Sequence, residues 1–197
     1  MADLQTEAAY EANAVRYSED WLNQPPPDDM YALLVRHFVP GGRTIDVGCG
    51  NGRDAAWLAG QGFDVVGYDN APALVELARK TFSWVPFQVG RLPMLENVDV
   101  QFDNVLCETV LMHLPAGEVA QAADRLWTLV RPGGVLYVSW RATEGEDARL
   151  PDGRLYSAFA PDVVRAALHD GVVLHEEDVT SASSGKRVCR LIVRRPV

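Results

Sequence analysis

Thr44-Ile45-Asp46-Val47-Gly48-Cys49-Gly50-Asn51-Gly52 is the stretch whose reading decides the fold. A short run with β-branched residues reads as a buried strand, and the alternating glycines behind it read as a tight loop leading into a helix. Glycine reaches positive φ and lets backbone approach a ligand closely. The helix that follows offers unpaired N–H groups and a positive dipole end, suited to a carboxylate or phosphate. Asp46 stands inside the strand, where an apolar side chain is expected. A buried carboxylate is costly unless it is paired or hydrogen-bonded. Asp46 therefore has a polar role, either bracing the loop's amides or holding a ligand's ammonium group directly or through water.

Downstream, residues 54–61 read as a short helix closed by Gly62, 64–68 as a strand, and 72–81 as a helix with Pro72 in its first turn. Strands follow at 84–89 and 102–107, then a helix over 118–130 with Val119, Ala122, Ala123, Leu126 and Leu129 on one side. The turn Pro132-Gly133-Gly134 precedes a strand over 135–140. Such alternation predicts a parallel sheet with helices on both faces. Beyond a helix over 161–169, the strands 172–179 and 187–194 are joined by a turn too short for a crossover. That end of the sheet must be an antiparallel pair. Trp57, Trp84 and Trp127 are most simply core residues.

Upstream, Asp28 or Asp29 caps a helix from 30 to about 39, ended by Pro40-Gly41-Gly42. Pro25-Pro26-Pro27-Asp28-Asp29 separates this core from an N-terminal segment in which Tyr10, Ala14, Tyr17 and Trp21 recur at helical spacing over 8–21. The reading is one domain over 1–197, with a helical lid and proline-rich hinge at 1–27 and the core at 28–197. Among 197 residues, 18 Lys plus Arg against 27 Asp plus Glu give a net charge of −9, so nucleic acid and anionic membranes are not expected partners. Cys49, Cys107 and Cys189 lie too far apart for a disulfide framework or a zinc site. No apolar run approaches a membrane span, and a cytoplasmic protein is expected.

In a doubly wound sheet, ligands bind outside the carboxyl ends of the strands. Asp69 ends the second strand about 20 residues beyond the glycines, where a carboxylate accepts from both ribose hydroxyls; the alternative is a helix cap ahead of Asn70 and Pro72. His113, beyond the fourth strand, is the best-placed general base or acceptor-orienting residue, unless it is a structural histidine. Glu108 shares its loop and reads equally as a solvent-exposed carboxylate. Tyr10, Tyr17 and Trp21 either close over a cationic ligand through their π faces or simply pack the helix down. The polar stretch 141–160, with Arg141, Glu144, Glu146, Arg149 and Arg154, reads as a binding segment or as a solvated charge cluster.

Four motifs in order carry a resemblance to the class I S-adenosylmethionine-dependent methyltransferases. They are Ile45-Asp46-Val47-Gly48-Cys49-Gly50-Asn51-Gly52-Arg53, Val65-Val66-Gly67-Tyr68-Asp69, Phe102-Asp103-Asn104-Val105-Leu106-Cys107 and Leu129-Val130-Arg131-Pro132-Gly133-Gly134-Val135-Leu136. Gly50-Asn51-Gly52-Arg53-Asp54 and Val110-Leu111-Met112-His113-Leu114-Pro115 resemble the small bacterial branch near the tellurite-resistance-type methyltransferases.

The resemblance implies an α/β, Rossmann-like, doubly wound sheet of seven strands ordered 3-2-1-4-5-7-6, with strand 7 antiparallel. It also implies S-adenosylmethionine as cofactor. Asp46, Gly48, Cys49 and Gly50 would line its methionine part, Arg53 would pair with the carboxylate, and Asp69 would take the ribose. Asn70 would border adenine, and Cys107 would offer backbone to the amino group; with that cofactor, the aromatic stripe read above makes Tyr17 a residue that closes over the sulfonium. The family often places an acidic residue after the third strand; here Val89-Gly90-Arg91-Leu92-Pro93 leaves backbone of Arg91 or Leu92 for the adenine amino group. A dinucleotide site is disfavoured, since Arg53 stands where the third glycine of G-x-G-x-x-G belongs. A small-molecule acceptor is expected, with tRNA, a protein side chain, or a non-catalytic cofactor module as alternatives.

Overall fold

The computed structural model describes residues 3–143 and 145–197. Strand β1 (Arg43–Val47), helix α4 (Arg53–Gly60), β2 (Asp64–Asp69), α5 (Pro72–Thr81), β3 (Phe87–Val89) and β4 (Phe102–Cys107) alternate as read. Helix α6 (Ala116–Leu129) runs straight into β5 (Val130–Arg141). Two further strands, β8 (Val172–Thr180) and β9 (Arg187–Arg194), form the closing hairpin after helix α7 (Pro161–Ala167). The main sheet is ordered β3-β2-β1-β4-β5-β9-β8. Counting its own strands, that is the expected 3-2-1-4-5-7-6. β9 pairs antiparallel with both β5 and β8, and the other pairings are parallel.

Both sheet faces are buried, and strand alternation divides the core in two. On one face Ile45, Val47, Val105, Leu136 and Val138 pack under α6 and α7. On the other, Leu106, Val135, Tyr137 and Ile192 pack with α5, α4 and α3 (Asp28–His37). Residues one apart on a strand point to opposite faces, so Asp46 leaves the α6 side to its neighbours and faces the side of α4. The turn Pro132-Gly133-Gly134 survives as an irregularity inside β5, where pairing with β4 jumps from Phe102↔Val130 to Asn104↔Val135.

Four expectations are corrected. The N-terminal segment is two helices, α1 (Leu4–Ala12) and α2 (Ala14–Asn23), because Asn13 leaves helical geometry and returns its side-chain amide to the Ala9 carbonyl at 2.8 Å. Strand β3 starts only at Phe87, just after Pro86, which has no N–H for the ladder. Trp84 is outside the core, 67% exposed, with its ring edge against Phe82. The 141–160 stretch is not a plain loop: β6 (Ala148–Arg149) and β7 (Leu155–Tyr156) form a small antiparallel pair, while Glu144 lies outside the described residues. Among the described residues, no helix is long and apolar enough to cross a membrane.

Candidate active site

The loop after β1 is shaped by its glycines. Gly48 sits at φ +79, and a Cβ there would lie 2.2 Å from Val110 Cγ2. Gly50, at φ +53, lies under the Trp21 ring, which a Cβ would meet at 2.8 Å. The amides of Gly48 and Cys49 both donate to the Tyr68 carbonyl at 2.7 and 3.0 Å, tying the loop to β2. Asp69 completes the bracing: its Oδ2 accepts from Gly50 N–H (2.8 Å) and its Oδ1 from Ala71 N–H (2.9 Å). Burial raises its pKa, opposed by those amides. Asp69 is thus the carboxylate that braces the loop. Asp46 is buried, and its Oδ2 has no hydrogen-bond partner among the described residues. Burial, and the nearby carboxylates of Asp54, Asp69 and Glu108, push its pKa well up.

A cavity opens above these strand ends, bordered by Asp46, Gly48, Cys49, Gly50, Asp69 and Asn70 on one side. Leu92 and Arg53 also line it. Arg53 grips Asp54 (Nε–Oδ1 2.9 Å) and donates from Nη1 to the Trp21 carbonyl (3.1 Å), so its charge sits at the junction of loop and α2. Three expected cofactor residues do not line the cavity. Tyr17 is buried behind it, stacked on Trp21 at 5.8 Å, with its hydroxyl donating to Asp152. Arg91 turns out to Glu7 at 2.8 Å. The Cys107 side chain is buried in the core under α6.

The other side of the cavity is built from the segment after β4, the end of β5, and β7 with Arg154 just before it. His113, in a single 3₁₀ turn (Leu111–His113), has Nδ1 2.7 Å from the Leu155 carbonyl and Nε2 2.8 Å from the Tyr10 hydroxyl. A carbonyl only accepts, so Nδ1 carries the proton, and Nε2 accepts from Tyr10. Burial lowers the His113 pKa to about 4 and raises that of Tyr10, so both are neutral near pH 7. Glu108 is not a free surface carboxylate: it is half-buried on the cavity wall, accepts from the Ser139 hydroxyl, and has its pKa raised by burial. The next residue, Thr109, is held at φ +55 by hydrogen bonds from its N–H to Ser139. Positive φ at a β-branched residue is strained backbone of the kind found at functional sites.

Helices α1 and α2 form the roof. Thr6 Oγ1 accepts from Leu155 N–H, Asp3 pairs with Arg149, Glu11 accepts from Ala73 N–H, and Asn51 donates to the Ser18 carbonyl. These contacts reach β7, the stretch before it, the start of α5 and the glycine loop. Tyr10 and Trp21 supply the roof's aromatic lining. Arg141 and Arg154, from the stretch read as a binding segment or a charge cluster, border the cavity; sequence reading missed Tyr156 and the serines 181, 183 and 184, which also border it. The serines lie in the β8–β9 turn, which the antiparallel hairpin returns to the carboxyl end of β5.

Residues 45–134 match the family described as Methyltransferase domain. The chain is 36% identical over 132 residues to the ubiquinone biosynthesis O-methyltransferase of Xylella fastidiosa (strain 9a5c), covering 60% of this chain and 53% of that protein. It spans about half the length of that relative. The fold is shared with the Burkholderia thailandensis 1,6-didemethyltoxoflavin-N1-methyltransferase, a structure with bound 1,6-didemethyltoxoflavin and S-adenosylhomocysteine (TM-score 0.74, 23% identity, 100% of this chain and 92% of that one). The magnesium protoporphyrin IX methyltransferase of Synechocystis PCC 6803, with bound S-adenosylmethionine, shares it too (TM-score 0.69, 21% identity, 93% and 82%). Residues 45–134 are thus similar to a methyltransferase domain, and the chain shares its fold with S-adenosylmethionine-dependent methyltransferases.

Proposed function

We propose that the protein moves a methyl group from S-adenosylmethionine to a small-molecule acceptor held beneath the roof helices. One observation carries this: a single cavity joins the partnerless buried carboxylate oxygen of Asp46 and the glycine loop to the Tyr10–His113 pair. The residues fit the cofactor. Asp46, surrounded by other carboxylates, suits an ammonium group, and Arg53 brings positive charge to the loop. Asp69 has lone pairs left after its two backbone bonds, enough to accept ribose hydroxyls. When bound, the sulfonium supplies an electrophilic methyl carbon.

What remains for the chain is alignment and exclusion of water, the two demands of an in-line displacement. Tyr10 and Trp21 close the top, and Met112 and Leu114 give apolar wall near His113. His113 is a weak base here and its lone pair is taken, so it acts through Tyr10: it fixes the hydroxyl proton, and the Tyr10 oxygen, already interacting with Arg154, has a second lone pair to accept from an acceptor O–H or N–H. The names of two of these proteins, a ubiquinone biosynthesis O-methyltransferase and a 1,6-didemethyltoxoflavin-N1-methyltransferase, support a small acceptor. So does the net charge of −9.

The test is calorimetry of the purified full chain with S-adenosylhomocysteine, followed by transfer of labelled methyl to a panel of phenols and nitrogen heterocycles. Saturable binding and a labelled small product are expected. Absence of binding overturns the reading, and label appearing instead in bulk tRNA or protein overturns the choice of acceptor.

A further inference from the structure

Three arginines line the cavity, and two of them are already neutralised. Arg53 is paired with Asp54, and Arg154 with Asp152 at 2.8 Å. Arg141 is different. It is half-buried at the carboxyl end of β5, and among the described residues no carboxylate lies within ion-pair distance of it. Its Nη1 donates to the Tyr156 hydroxyl at 3.0 Å, its guanidinium lies 5.5 Å from that ring's centre, and its Nε is buried with no partner. A buried guanidinium donor left without an acceptor is costly, and a docked anion removes that cost. Arg190, deeper in the fold, also has a buried Nε without a partner, but its charge is met by both Asp29 and Glu177, which Arg141 lacks.

The place of Arg141 decides what it serves. The glycine loop and Asp69 sit at the ends of β1 and β2, whereas Arg141 follows the sheet order past β4 to β5, on the side of His113 and Tyr156. That is the half of the cavity left to the acceptor. Its walls are Tyr10, Tyr156 and Met112, which suit a planar apolar body. Asp46, Asp69 and Glu108 make the remainder negative, so one unpaired cation can host a monoanion but not a phosphate dianion. A carboxylate also matches the planar fork of donors.

We propose that Arg141 anchors the acceptor and that the acceptor is a small aromatic acid whose carboxylate it binds. This rests on the methyltransferase reading above. The test titrates the full chain, saturated with S-adenosylhomocysteine, with benzoate, 4-hydroxybenzoate and phenylacetate, with the methyl ester of each, and with phenyl phosphate. At least one acid should bind about 10- to 100-fold tighter than its ester, the span of one hydrogen bond to a charged group. Arg141→Gln should erase that preference while S-adenosylhomocysteine affinity stays as it was. Arg141→Lys, which keeps charge but not the fork, should retain part of it. If no acid outbinds its ester, if the preference survives in Arg141→Gln, or if phenyl phosphate binds best, the proposal is overturned while the methyltransferase reading stands. Failure to bind S-adenosylhomocysteine overturns both. The acid–ester comparison needs no variant, so a misfolded Arg141→Gln would not rescue the idea.

Discussion

The two halves of the cavity are built by different means. Under the glycine loop the shape is set by backbone: positive φ at Gly48 and Gly50, amides fastened to the Tyr68 carbonyl, and one carboxylate, Asp69, clamping loop and helix start. Beneath the roof, the shape is set by side chains that meet across the whole chain: Tyr10 with His113, Thr6 with Leu155, Tyr17 with Asp152, Asp3 with Arg149. A backbone-made site tolerates little change and suits a constant ligand. A side-chain-made site can be rewritten residue by residue, which suits an acceptor that differs between relatives sharing one fold.

The sharpest way to break that contrast is to place a side chain in the backbone-made half. Gly48→Val would put a β-branched residue at φ +79 with its Cβ 2.2 Å from Val110 Cγ2. Strain plus overpacking should cost about 2–5 kcal/mol of stability. S-adenosylhomocysteine binding should vanish even at temperatures where circular dichroism shows a folded chain. Wild-type affinity in this variant would mean the loop is not the cofactor site.

Removing the other half should be milder for the fold. Deleting residues 1–24 strips α1 and α2 but leaves the sheet, α3 and both core layers intact. The truncated chain should unfold cooperatively in urea, bind S-adenosylhomocysteine more weakly, and lose methyl transfer, since Tyr10 and Trp21 are gone. Full activity in the truncated chain would show that the roof is packing and nothing more.

The same division explains what the sequence revealed. The parallel sheet, the antiparallel hairpin and the glycine loop were legible because each follows from local pattern: alternation, turn length, and glycine where φ must be positive; the strand order came with the family resemblance. Asp46 was legible as a polar intruder in an apolar strand. The roles of Asp46 and Asp69 were not separable, because which carboxylate faces the loop amides depends on the pairing of β1 with β2. The cavity face of Tyr156 was out of reach, and that of Arg154 could not be told from a solvated charge cluster. They depend on β7 docking against Thr6 and His113, contacts between residues far apart in the chain that no local spacing encodes. The two readings of Glu108 stayed open for a related reason, since its partner Ser139 comes from the neighbouring strand.

Asp69→Ala tests the clamp between the halves. It leaves the amides of Gly50 and Ala71 without their acceptor and removes the carboxylate offered to ribose. S-adenosylhomocysteine affinity should fall by about 1.5–3 kcal/mol, the worth of hydrogen bonds to a charged group. The melting temperature should drop as well, because the same group braces the loop. A loss of affinity with unchanged stability would show that Asp69 serves the ligand and not the loop.

The smallest effect lies in the roof's own bond. Tyr10→Phe removes one hydroxyl and leaves His113 Nε2 without its donor, a cost of about 1 kcal/mol. Its signature is in pH more than in size. Burial holds the His113 pKa at about 4, below its ordinary 6.5, so the folded chain refuses a proton that the unfolded chain accepts between those values. Stability is therefore full above about pH 6.5 and is lost as pH falls through about 4. The Tyr10 hydroxyl donates to the lone pair that protonation would consume, and so favours the neutral ring. In Tyr10→Phe the acid loss should still begin near pH 6.5 but level off at higher pH and be smaller, and in His113→Gln the part due to this ring should be absent. Urea midpoints collected from pH 4 to 8, followed by tryptophan fluorescence, would show both shifts. Identical pH profiles in all three proteins would mean that the Tyr10–His113 bond does not hold the roof, and the orienting role given to His113 would fall with it.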